Sequence, residues 1–184
     1  MSVSSAERDL REQARLLVRA GVLDPAAQRA ALVDVVRVEM PDTDAEIMSR
    51  AWLAAAARDL GDQARSWPEV TDHDRLVGAF EECARNGVPF LVGESDLHAV
   101  RMRAEAAAVS GTPLRGIGWF DEPAIWQAIT SGVLESGLRH GDGRTVEAGD
   151  QLAAAVVGCL AQHGVQARVV EGTLHIATHW QRRP

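Results

Sequence analysis

The chain has 184 residues, of which 46% are hydrophobic and 24% are charged, and its formal net charge is −7. This length allows one compact domain, or a small domain with a helical extension, and is sufficient to bury a core without disulfides or metals. All 19 basic residues are arginine, which excludes lysine Schiff-base chemistry and a P-loop lysine.

Charge and hydropathy also limit the partners and the location. Residues 1–66 hold nine Arg and eleven acids and residues 67–184 hold ten Arg and fifteen acids, balances of −2 and −5. Neither half has the basic surface that nucleic acids or anionic membranes require.

No apolar run approaches the ~20 residues that span a bilayer. The N-terminus lacks a basic start followed by an apolar block, so we expect no secretory signal and a cytoplasmic protein.

In chain order, three helices are predicted first, over residues 5–21, 25–40 and 44–65. Asp24 before Pro25 is typical of an N-cap followed by the first helical position. Thr43 and Glu46 have the spacing of a capping box and predict the start of the third helix. Short connections between these helices favour antiparallel neighbours.

A junction follows at Trp67-Pro68, because the residue before a proline disfavours helix and so ends the third helix. Thr71 and Asp74 then have capping-box spacing and predict a fourth helix. Gly87 is suited to end that helix.

Beyond Gly87 short apolar runs predict five strands, over residues 88–92, 114–120, 133–140, 165–170 and 173–180. Helices are predicted between them over residues 95–110, 121–129 and 145–162. The dipeptide Glu171-Gly172 is a tight-turn signal, so the last two strands should form an antiparallel hairpin.

These elements predict an α/β (α+β) fold. An N-terminal three-helix region, residues 1–66, should pack as a bundle on a C-terminal region, residues 67–184, that holds a mixed five-stranded sheet with helices. The linker between the regions is short, so we expect one compact unit.

The two cysteines, Cys83 and Cys159, both fall within predicted helices on an apolar background. Two buried free thiols in a reducing compartment are the favoured interpretation. A disulfide or a cysteine nucleophile is the alternative.

Several segments together resemble a known domain family; they are Trp67–Leu76, Phe80, Arg85–Val88, Arg115-Gly116 and Trp180–Arg183. The chain resembles, over its whole length, a bacterial family of unknown function that is found mostly in high-GC genomes and carries a W-P-E-V-T-D-x-D-R-L motif. Members usually have a Cys-rich loop after the first strand, whereas residues 92–98 of this chain contain no cysteine. The resemblance implies a fold and a soluble location, but no reaction.

The strongest candidate site follows the second predicted strand, where Trp119, Asp121, Glu122 and Trp126 are close in sequence. The carboxyl ends of parallel strands are where open α/β sheets place ligands, and two carboxylates can act as acid and base. The structural alternative is that Asp121 or Glu122 caps a helix opened by Pro123, while the two tryptophans pack on the core.

Three further groups of residues are weaker candidates. His98 stands with Glu94 and Asp96 where the family has cysteines, but these positions also suit a capped helix start. Asp72 and Arg75 can contact a ligand or partner, although capping and surface ion pairing explain their spacing equally well. His175 and His179 share one strand face ~13 Å apart, too far to bind one ion. We therefore expect no metal and no cofactor.

Three functional hypotheses remain open. The favoured one is a non-enzymatic binding or regulatory protein with a protein or small-molecule partner, because no familiar catalytic motif is present. A homo-oligomer is compatible with this hypothesis. The second is a small carboxylate- and histidine-dependent hydrolase or transferase using Asp121, Glu122 and His98. The third is a metal-binding regulator.

Overall fold

The computed structural model describes residues 5–93, 96–107 and 113–184. Within these residues the elements are α1 (Ser5–Ala20), α2 (Pro25–Glu39), α3 (Ala45–Ala64), α4 (Asp72–Arg85), β1 (Phe90–Val92), α5 (Leu97–Ala107), β2 (Gly116–Phe120), α6 (Glu122–Ser131), β3 (Val133–His140), α7 (Gln151–Gln162), β4 (Gln166–Val170) and β5 (Thr173–Ala177). The predicted mixed α+β architecture with five strands is confirmed, as is the antiparallel pairing of the last two strands.

The chain divides into two compact units. One comprises the helices α1–α3 and the chain up to Glu69, together with Gln181–Pro184, and the other comprises Val70–Trp180. In the first unit the C-terminal Arg183 donates hydrogen bonds to the carbonyl oxygens of Ala64, at 3.1 Å, and of Pro68, at 2.6 Å. The tail therefore satisfies acceptors at and beyond the end of α3, where a helix leaves carbonyl groups unpaired.

The helix starts follow local capping chemistry. Asp24 caps α2, as predicted, by accepting hydrogen bonds from the backbone of Ala26 and Ala27. The predicted capping box of Thr43 and Glu46 is wrong, because Asp44 caps α3 instead. The hydroxyl of Thr43 is engaged elsewhere, since it donates to the carbonyl of Met40 at 2.7 Å.

The predicted capping box of α4 is confirmed. The Thr71 hydroxyl accepts from the Asp74 backbone N–H at 3.1 Å, and the Asp74 carboxylate accepts from the Thr71 backbone N–H at 2.8 Å. Thr71 is fully buried. The motif that carries the family resemblance thus has a structural role at the start of α4.

The sheet has the strand order β1-β2-β3-β5-β4. β1 and β2 are parallel, and each of the other neighbouring pairs is antiparallel. α6 connects two adjacent antiparallel strands, and it ends at Gly132, which caps it in the left-handed conformation. The carboxyl end of β2 and the amino end of β3 therefore lie side by side next to α6.

The predicted boundaries of β1, α7 and β5 are wrong, and β2 begins at Gly116 rather than residue 114. β1 begins at Phe90 rather than residue 88, because the Val88 N–H donates to the Cys83 carbonyl and finishes the turn after α4. α7 begins after its cap Asp150 rather than at Thr145, which forms a β-bridge with Arg139. β5 ends before residue 178. Of the helix predicted over residues 95–110, residue 95 and residues 108–110 lie outside the described part of the chain.

The two faces of the sheet have different chemistry. One face is apolar and buried beneath α4 and α7, with Phe80 of α4 stacked on Phe90 at 4.1 Å and Leu138 fully buried. On the other face α5 covers β1 and β2, where Val100 packs with Leu91 and Ile117. Across β3, β5 and β4 this second face carries polar side chains that reach solvent.

Candidate functional site

Two adjoining cavities open on the polar part of the sheet face, and we call them together the sheet groove. The first has a volume of about 390 Å³, and its lining includes Trp119, Asp121, Gln127, Glu135 and Thr173. The α6 side chains form one flank and the strand side chains form the floor. The cavity is in the size range of small-molecule sites, which run from about 300 to 1,000 Å³.

The second cavity continues the first toward the edge strand β4. It has a volume of about 560 Å³, and its lining includes Gln127, Glu135, Gln166, Arg168 and His175. Gln127 and Glu135 line both cavities. Their side chains also contact each other, with the Gln127 Nε2 donating to the Glu135 Oε1 at 3.4 Å.

Strand register aligns three ionisable side chains across the groove. Glu135 of β3 lies opposite His175 of β5, and His175 lies opposite Arg168 of β4. Residues opposite each other on neighbouring strands project from the same face of a sheet. The His175 Nδ1 lies 3.7 Å from the Glu135 Oε1, so an acid, an imidazole and a guanidinium follow one another over about 10 Å.

The Trp119 indole lies against the sheet because Gly137 leaves room for it. Gly137 is opposite Trp119 in the register of β2 and β3, and a Cβ at that glycine would collide with the indole ring. Trp119 also packs against the core cluster of Leu91, Val100 and Ile117. The ring is therefore held in one orientation while it lines the first cavity.

Asp121 combines a capping role with a position in the first cavity. Its carboxylate caps α6 by accepting from the Ala124 N–H at 3.1 Å, and the residue also lines the first cavity beside Trp119. These two candidate residues are thus brought together at the carboxyl end of β2, as the sequence suggests.

Glu122 and Trp126 lie one turn apart on α6 and are not among the lining residues of the sheet groove. The Glu122 Oε1 and the Trp126 Nε1 are buried without a hydrogen-bond partner among the described residues. Burial raises the pKa of the Glu122 carboxyl above its usual value. Glu122 is therefore not placed beside Asp121 in the groove, as a paired acid–base role of these two carboxyl groups would require.

The remaining candidates lie elsewhere. His98 is exposed in the first turn of α5, where its backbone N–H donates to the Asp96 carboxylate at 3.0 Å, and it is not among the groove residues. Asp72 and Arg75 form an ion pair at 3.1 Å in the first turn of α4. Their use by a ligand or partner, like the acid–base role of His98, stays a prediction.

No sequence pattern identified Gln127, Glu135 and Arg168 as site residues, and His175 was considered only as one of two histidines too far apart to bind one ion. The alternation of polar and apolar residues along β3 is a signal for Glu135. Only the strand pairing shows that Glu135, His175 and Arg168 form one row.

Two kinds of feature are absent from the described residues. Within residues 5–93, 96–107 and 113–184, no group of three or more His, Cys, Asp and Glu side chains is arranged to hold a metal ion. None of the described helices combines the length and the apolar character needed to cross a bilayer.

Comparison with known proteins gives one informative result. A family model with the description "Domain of unknown function (DUF6891)" matches residues 4–184. Comparison with curated proteins gives no match, and comparison with solved structures gives none.

Proposed function

We propose that this chain, which belongs to the DUF6891 family of domains of unknown function, is a binding protein that holds a small organic ligand in the sheet groove. The observation that supports this role is the pair of adjoining cavities, about 390 and 560 Å³, that share Gln127 and Glu135. A concave site with a few convergent polar groups beside an aromatic ring is typical of small-molecule binding.

The charge of the first cavity selects a cationic group. Its lining contains the carboxylates of Asp121 and Glu135 and, among the described residues, no basic side chain. Trp119 lies beside these two acids. A cation over an indole gains about 0.5–2 kcal/mol from the ring quadrupole, and nearby carboxylates add to this attraction. An amine, guanidinium or quaternary ammonium group fits this end of the groove.

The second cavity selects a hydrogen-bond acceptor. Arg168 provides fixed N–H donors at the exposed end of the row, and His175 lies between Arg168 and Glu135. The groove runs from the end of β2 to β4, and these four neighbouring strands span about 14 Å, so a ligand of that length reaches both ends. The ligand class is therefore an organic cation that carries an acceptor, such as a carboxylate, at its other end.

The test is an NMR titration of the protein with a panel of small amines, guanidinium compounds and quaternary ammonium compounds, with simple carboxylates as comparison. We expect cations that carry a distal acceptor to shift the Trp119 indole resonance, which Trp119→Phe identifies among the five tryptophans. Glu135→Gln and Asp121→Asn should each weaken binding about tenfold, the effect of ~1.4 kcal/mol. Asn at position 121 retains the ability to cap α6.

The matched control is Glu81→Gln, which removes the same charge at an exposed position on α4 that does not line the groove. This variant should bind as the wild type does. Equal weakening by Glu81→Gln would show that net charge, not the groove, determines binding. If millimolar cations leave the Trp119 resonance unchanged, the proposed function is wrong.

A further inference from the structure

The two cysteines meet at the packed interface of α4 and α7. Cys83 lies on α4 and Cys159 on α7, and both are free thiols. The Cys159 thiol donates to the carbonyl of Ala79, one turn before Cys83, at 3.6 Å, and both cysteines line the same cavity. The two cysteines therefore lie close together where α4 packs on α7.

The two thiols differ in access to solvent. Cys83 is only 2% exposed, whereas Cys159 is half-buried, contrary to the expectation that both are buried. Both line a cavity of about 370 Å³ with a rim that includes the exposed residues Asn86, Arg115 and Gln162. A small molecule that enters this cavity reaches Cys159 before Cys83.

We propose that Cys159 and Cys83 form an oxidisable pair that reacts with a small hydroperoxide and closes to a disulfide between α4 and α7. The proposal is independent of the sheet groove, which lies on the opposite face of the sheet. At the contact Ala79 of α4, whose carbonyl accepts from the Cys159 thiol, is fully buried.

The reaction proceeds in two balanced steps. The Cys159 thiolate attacks the peroxide oxygen, the O–O bond breaks, and the alkoxide leaves with a proton as ROH, which gives a sulfenic acid. The Cys83 thiolate then attacks the sulfenic sulfur and displaces hydroxide, which leaves as water. The sum is ROOH plus two thiols giving a disulfide, ROH and water, with the peroxide reduced and both thiols oxidised.

Burial determines the order of the two steps. It raises the pKa of the Cys83 thiol, and hydrogen bonding with Cys159 acts in the same direction. A thiol with a raised pKa has little of the thiolate that attacks peroxide or sulfenic sulfur. Cys83 therefore reacts second and slowly, so the sulfenic acid on Cys159 persists long enough to be trapped.

The experiment treats the folded protein with hydrogen peroxide, denatures it in an alkylating reagent, and maps the products by mass spectrometry. We expect a monomer that has lost two hydrogen atoms, takes up no alkylating reagent, contains a peptide linking Cys83 to Cys159, and is restored by dithiothreitol. In Cys83→Ser, dimedone should label Cys159. In Cys159→Ser, Cys83 should remain reduced at the same peroxide dose.

Three results would overturn the proposal. The first is irreversible oxidation of Cys159 in the wild type without the linking peptide. The second is a disulfide that forms only between molecules. The third is oxidation of Cys83 at the wild-type rate in Cys159→Ser. The mapping of the wild-type protein decides the first two, so the test does not depend on the folding of either variant.

Discussion

Glu122 shows how two opposing effects act on one carboxyl group. As the first residue of α6 it lies at the positive end of the helix dipole, which favours the ionised form. Its Oε1 is buried without a described partner, which disfavours the ionised form. The pKa is raised, so desolvation is the larger effect.

The pKa of Glu122 leads to a prediction for stability against pH. Because the folded state raises this pKa, the folded state holds the proton more tightly than the unfolded state does. Stability is therefore highest below the unfolded pKa and falls as the pH rises through the folded pKa. Glu122→Gln should raise the free energy of unfolding at pH 7 by about 0.5 kcal/mol, a small value because the group is partly screened by solvent.

Urea denaturation of the wild type and of Glu122→Gln, at pH 7 and near pH 3.5, measures this difference. The gain should be present at pH 7 and absent at the lower pH, where the wild-type carboxyl is protonated in both states. A gain of the same size at both values would assign the effect to packing and not to ionisation. Glu171→Gln, at the exposed hairpin turn, is the matched control.

At the scale of elements, helix starts are determined by a few neighbouring side chains. The caps at Asp24 and Thr71 act through hydrogen bonds within three residues, and the sequence alone predicts both. The wrong prediction of the α3 cap also involves residues close in the chain. Asp44 and Thr43 are adjacent potential caps, and the contact of Thr43 with the Met40 carbonyl decides between them. At α2, α3 and α4 local signals therefore locate the helix start to within a residue or two.

The capping box of α4 gives a prediction at this scale. Thr71→Ala should lower the free energy of unfolding by about 1–2 kcal/mol, because the Asp74 N–H loses its acceptor and the hydrogen bond from the Thr71 hydroxyl to the Asp74 carboxylate is lost. Thr71→Ser retains the hydroxyl and should lose much less. Chemical denaturation followed by circular dichroism measures both, and equal losses would show that the methyl group, not the cap, is responsible.

At the scale of the whole molecule, the last residues return to the first compact unit. The guanidinium of Arg183 bridges the carbonyl oxygens of Ala64 and Pro68, and Arg182 lies against Gly21. No local pattern predicts these contacts, since they join positions far apart in the sequence. These contacts give a structural role to the last residues that the family model matches.

Arg183 provides the prediction for this scale. Arg183→Ala should lower the free energy of unfolding by about 1 kcal/mol, because two carbonyl acceptors lose one shared donor. Hydrogen exchange should show faster exchange in the last turn of α3. Arg183→Lys retains the charge but not the forked geometry, so it should give an intermediate value. Unchanged exchange in Arg183→Ala would contradict a role for the tail.

The candidate site was predictable in part. Asp121 and Trp119 follow from the end of a predicted strand and the start of a predicted helix, which are local features. Glu135, His175 and Arg168 become one row only through the pairing of β3 with β5 and of β5 with β4. A shift of one residue in either pairing turns the side chains to the opposite face, so composition cannot give the row.

By itself, the sequence determined the order and type of the elements, the caps of α2 and α4, and the antiparallel hairpin of β4 and β5. These features depend on interactions between residues close in the chain. The tertiary structure alone decided that Glu135 and Gln127 join two cavities and that Cys83 and Cys159 line a third cavity together. Both depend on strand register and helix packing, which bring distant residues together and leave no local pattern in the chain.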